Sequence, residues 1–152
     1  MEIRIVVMRE IRPDFVSRAI MAWTGVPYSH IAICYNQEGT DYLFHAYGKG
    51  VCLDRLDTYL QDHQIVGRKP VTLACDPESF LGYVSGAVGK DYSEAQFLGF
   101  IFPYKWIMKL VGDGERELVC SELVARVLTK FSNYTFAEDL DFLDPREVWE
   151  AI

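Results

Sequence analysis

A thiol and a pair of imidazoles are the groups in this chain with the clearest chemical potential. Cys120 lies in ELVCSELVARVL, where valine, leucine and alanine recur at helical spacing, so the thiol falls in the first turn of a helix turned towards a core. There the positive end of the helix dipole and free backbone N–H groups favour the thiolate, the form that attacks carbonyl carbon. The same N–H groups suit the negative oxygen of a tetrahedral intermediate. Such a nucleophile needs a base, usually histidine, and a group that orients the base. The chain has three histidines, His30, His45 and His63. His30 opens the apolar run SHIAICY, His45 lies in DYLFHAY, and NQEGT between them reads as a hairpin turn. The start of one hairpin strand lies beside the end of the other, so the two imidazoles are expected as neighbours on one sheet face. Packing the Cys120 helix against that face would align thiol, base and orienting ring. Cys120 is then expected to have a lowered pKa and to be alkylated before Cys34, Cys52 and Cys75.

Each of these residues has a plainer reading. A buried free cysteine is commonly core packing, and His45 alone can be a satisfied sheet residue. His63, in the polar stretch DTYLQDHQ, reads as a surface side chain. Cys34 shares a strand face with His30 by alternation, which raises a zinc site with His45 and Cys52, although no CxxC or HxxxH spacing supports it. Carbonyl chemistry by a thiol and imidazoles needs neither a metal nor an organic cofactor.

The elements that must position these groups are mixed. IRIVVM reads as a buried strand, and RPDFVSRAIMAWTG as a helix with Pro13 in its first turn and Phe15, Val16, Ala19, Ile20 and Trp23 on one apolar face. GVCLDRL continues the sheet after the hairpin. QIVGRKPVTLAC is extended, with Pro70 marking an edge or a break. From Asp76 onward the pattern is helical. PESFLGYVSGAVG is capped by Asp76 or its neighbour, SEAQFLGFIF is cut at Pro103, the Cys120 helix runs to about Phe131, and LDPREVWEAI is capped by Asp144 with Pro145 behind it. Strands first and helices after predict an α+β class, one domain over residues 1–152.

Composition bounds the rest. Half of the 152 residues are apolar, enough for a real core, and the net charge of −7 disfavours a nucleic-acid partner. The apolar stretch at MEIRIVVMREIRP is too short and charged for a secretory signal, and FLGFIFPYKWIMKLVG is broken by Pro103, Lys105 and Lys109, so no integral membrane segment is expected. A cytoplasmic location with four reduced thiols follows as the expectation.

SHIAICYNQEGTDYLFHAYGKGV resembles the histidine strand and following strand of the NlpC-like, papain-fold cysteine peptidases in their circularly permuted form. VCSELV resembles the nucleophile helix of that group, and GKDY before a helix resembles its glycine–tyrosine element. Histidine precedes cysteine, as in the permuted members, and the likeness runs from Ser29 to Leu128 with a weaker extension to LDPREVW. The group includes peptidases, amidases and lecithin retinol acyltransferase-like lipid enzymes. The resemblance implies a permuted papain-like fold with Cys120 as nucleophile, His30 as base and His45 at the third polar position. It implies Tyr92 as the tyrosine of the site, a substrate contact. Many permuted members carry a carboxylate at the third position. The histidine here matches the acyltransferase-like branch and leaves the substrate open among peptide, isopeptide and lipid acyl donors. The competing classes are a binding module that keeps the fold without turnover, and a thiol–metal regulatory protein.

Overall fold

The computed structural model describes residues 1–47, 50–89, 120–136, 140 and 143–152. In chain order they form β1 (Glu2–Glu10), α1 (Phe15–Thr24), β2 (His30–Gln37), β3 (Thr40–Tyr47), β4 (Gly50–Arg55), α2 (Leu56–Tyr59), β5 (His63–Thr72), α3 (Pro77–Ala87), α4 (Cys120–Phe131) and α5 (Pro145–Ala151). The class is α+β, with one five-stranded sheet in the order β4-β3-β2-β1-β5 and every pairing antiparallel. Among the described residues, no helix is long and apolar enough to cross a membrane. Tyr92 and the expected helix SEAQFLGFIF lie outside the described residues.

The hairpin β2–β3 sets the geometry of everything that follows. Gln37 pairs with Thr40, so Glu38 and Gly39 form a two-residue turn, and both have positive φ, at 52° and 83°. That is the type I′ pattern, whose twist matches the strands it joins. The Asn36 side chain steadies the turn, accepting from the Gly39 N–H at 3.1 Å and donating to Asp41 Oδ1 at 2.8 Å. β5 and β4 are the two edges, and Pro70 sits in edge strand β5, where its missing N–H leaves no ladder bond unmade.

Both faces of the central strands are covered, which is why β1 and β2 read as continuous apolar runs. Alternation sorts their residues into two clusters. Ile31, Ile33, Tyr35, Phe44 and Ala46 pack with Phe80 of α3 and with the inner side of α4. Ala32, Cys34, Leu43, Val6 and Met8 pack on the other face under Leu56, with Tyr59 and Leu60 against them. Tyr35 is buried edge-to-face on Phe80 at 5.2 Å.

The helix ends follow their capping residues. Asp76 caps α3 through Ser79 N–H at 2.7 Å, and Asp144 caps α5 in a full capping box with Glu147, Pro145 occupying the first turn. α1 starts at Phe15 rather than at Pro13, because Asp14 is the cap and accepts from Ser17 N–H. Its apolar side does not face the core at its ends, since Phe15 is 80% exposed and Trp23 57%. Helical periodicity records amphipathicity, not what lies opposite.

Candidate active site

His30 is the first residue of β2 and His45 the sixth of β3. The ladder between these strands runs from Gln37↔Thr40 to Ile33↔Phe44. Counted on in that register, His30 lies opposite Tyr47 and His45 lies two residues back, diagonal to it on the same face. The side chains close that diagonal, with His30 Nε2 and His45 Nδ1 3.0 Å apart and the rings edge-to-face. The hairpin therefore brings the two histidines together. The second diagonal was not foreseen. His45 pairs with Cys52 in β4, and Asp54, two residues on, places its Oδ2 3.0 Å from His45 Nε2. Three strands thus carry His30, His45 and Asp54 as a staircase across one sheet face.

A carboxylate only accepts, so His45 Nε2 carries the proton of that bond. His45 is fully buried and Asp54 half-exposed at the edge strand, so the staircase runs from a dry end to a wet one. Burial holds His30 well below the ordinary imidazole range, and its neighbours His45 and His63 push in the same direction. Burial also lowers His45, against the opposing pull of Asp54. Both rings are neutral at neutral pH and carry one proton each.

Cys120 is the first residue of α4 and is buried among the larger cluster. The packing differs from expectation in one respect. α4 covers the face of Ile31 and Ile33, whereas alternation puts His30 and His45 on the opposite face with Ala32 and Leu43. The thiol meets the histidine strand at its starting end, where the backbone N–H groups of Ile31, Ser121 and Cys120 itself all favour the thiolate. Burial outweighs them and raises the thiol pKa, so the lowered value expected from the helix start is corrected. A helix N-terminus stabilises a charge, but desolvation in an apolar cluster costs more. Among the described residues, no hydrogen bond joins the Cys120 thiol to the His30 ring.

Tyr59, in the one-turn α2, packs against the histidine pair. Its ring packs edge-on to His45 at 4.9 Å and lies 6.2 Å from His30. Its hydroxyl is pushed far above the ordinary phenol range by burial first, then by Tyr47 and Cys120. His63 is not the free surface residue expected from DTYLQDHQ. It stacks on Tyr59 at 3.9 Å, and its Nδ1 lies 3.2 Å from the Tyr59 carbonyl. The polar flanks of His63 hid this, because β5 starts there and turns the ring inward. Tyr47, 6.3 Å from His30, completes the aromatic wall and opens onto a cavity of about 540 Å³ lined by Glu10, Arg12, Asp14 and His63.

The zinc reading meets a different arrangement. Both ring nitrogens of His45 are engaged, Cys34 lies in the smaller apolar cluster with its pKa raised by burial, and Cys52 lies beside the Gly50 carbonyl at 3.5 Å. Among the described residues, no three His, Cys, Asp or Glu side chains group as a metal site. What the arrangement can do is move a proton along a line that begins at the His30 ring. No protein-family model and no curated protein matches this chain.

Proposed function

We propose that this chain is a cysteine hydrolase or acyltransferase of permuted papain-like fold, working through a thioester on Cys120. The observation that carries the reading is the 3.0 Å bond between His30 Nε2 and His45 Nδ1, which engages one ring nitrogen of His30 and leaves Nδ1 as the site for a proton. In the reaction, the Cys120 sulfur attacks an amide or ester carbonyl as its proton passes to His30 Nδ1. The tetrahedral oxyanion is held by backbone N–H groups at the start of α4, including that of Cys120. Collapse breaks the bond to the leaving group, which takes the proton from His30. Water, or a second acyl acceptor, then attacks the thioester as its proton passes to His30; the second tetrahedral intermediate breaks its bond to sulfur, and the sulfur takes that proton back from His30 to restore the neutral thiol.

Because the thiol is neutral at rest, His30 acts as a general base during attack rather than as the partner of a standing ion pair. His45 holds the ring of His30, and Tyr92 is assigned a substrate contact through the resemblance alone. The unbridged thiols of Cys34, Cys75 and Cys120 suit a reducing compartment such as the cytoplasm. The acyl donors that fit are peptides, isopeptides and lipids.

A second reading, a binding module without turnover, is favoured by the placement of the thiol: Cys120 is buried, which raises its pKa, and among the described residues it makes no hydrogen bond to an imidazole. Activated acyl esters separate the two. The enzyme reading expects intact-mass analysis to find a single acyl adduct, mapped to Cys120, whose rate of formation falls about 10²- to 10⁴-fold in His30→Ala, the usual worth of a general base. Absence of an adduct from esters of every chain length and from peptide esters would hand the assignment to the binding module.

A further inference from the structure

We infer that Asp54 is a positioning residue that selects the tautomer of His30 through His45, a role that rests on the reading of His30 as the base. Each neutral imidazole has one N–H and one bare nitrogen, so protons along a line of rings are not independent. Asp54 Oδ2 at 3.0 Å requires the proton of His45 on Nε2. His45 Nδ1 is then bare and accepts at 3.0 Å from His30 Nε2, which must carry the proton of that ring. His30 Nδ1 is left with a lone pair. That nitrogen can take a proton from a thiol; with a hydrogen on it, it cannot.

Without the carboxylate, the opposite sequence of protons satisfies the same His30–His45 bond. His45 Nδ1 would donate, His30 Nε2 would accept, and His30 Nδ1 would hold the hydrogen. Nothing in the ring pair itself prefers one arrangement, because donor and acceptor simply exchange places at an unchanged distance. Among the described residues, the asymmetry enters at the third member. The sheet supplies it by diagonal neighbours, from β2 to β3 and from β3 to edge strand β4. His45 is fully buried, and among the described residues its Nε2–H has Asp54 as its acceptor, so removing the carboxylate removes the partner that holds the proton on Nε2.

Tautomers are read directly by long-range nitrogen–proton NMR on protein labelled with ¹⁵N-histidine, without any substrate. The expected spectrum has both His30 and His45 protonated on Nε2. In Asp54→Asn the amide can offer an N–H to His45 Nε2, so both rings should move towards the Nδ1–H form. Cys120 acylation should slow about 10- to 100-fold through kcat with KM little changed, the scale typical of a lost orienting partner. Asp54→Glu should restore the Nε2–H forms and part of the rate. Because Asp54 is half-exposed, these exchanges are compatible with folding, and Asp54→Ser provides a second variant without a carboxylate. A wild-type His30 protonated on Nδ1, or unchanged tautomers in both Asp54→Asn and Asp54→Ser, overturns the inference. The NMR arm keeps its meaning if no ester acylates Cys120, so a failure of the enzyme reading and a failure of the tautomer inference give different results.

Discussion

Burial lowers the proton affinity of both His30 and His45, so each ring takes a proton more readily in the unfolded chain than in the folded one. The sign of the consequence is fixed. Above their ordinary value of 6.5 both states hold neutral rings and nothing is lost; below it the unfolded chain binds more protons, and stability falls as pH drops towards the folded-state values. The slope is at most about 1.4 kcal/mol per pH unit for each ring. Urea midpoints should therefore fall between pH 7.5 and 5.5, and His30→Gln should flatten the dependence. A wild-type midpoint that is level across that range would show that the rings are not held neutral. The residue scale is also where the sequence was least legible. Asp54 sits in GVCLDRL as an ordinary edge-strand acid, and its contact with His45 depends on a register set by the β3–β4 connection, which no spacing in the chain reveals.

At the scale of elements, the hairpin was the most legible feature, because alternation in SHIAICY and DYLFHAY and the turn residues of NQEGT point the same way. The caps at Asp76 and Asp144 were legible for a similar local reason: an oxygen in the right place meets an N–H two or three residues later. The face chosen by α4 was not legible. Alternation assigns His30 and Ile31 to opposite faces, but which face a distant helix covers is a tertiary outcome. The turn itself contains a testable imperfection. Glu38 holds a φ of 52°, a conformation that a glutamate adopts at a cost and an asparagine tolerates. Glu38→Asn should stabilise the protein by about 0.5–1 kcal/mol. For a chain of this size that corresponds to a rise in Tm of about 1–4 °C, measurable by calorimetry. A lower Tm would mean that the turn draws its stability from the Glu38 side chain instead.

Over the whole molecule, the sheet divides the apolar interior, and the thiol and the imidazoles are mounted on different sides of that division. Their alignment is therefore a matter of spacing between layers. In machine terms the helix is a slide and the sheet its bed, and a loose slide spoils the stroke while every working part is intact. Leu128, two turns along α4 and fully buried, is a place to loosen it. Leu128→Ala should destabilise by about 2–5 kcal/mol, as a buried cavity does. It should also slow the acylation of Cys120 per folded molecule, while the ¹⁵N-histidine spectrum keeps the wild-type tautomers. An unchanged rate in the folded fraction would show that the thiol is held by its own first turn and not by the seat of the helix. The histidine staircase, built wholly from neighbouring strands, does not share this sensitivity: the base can stay true while the nucleophile drifts out of gauge.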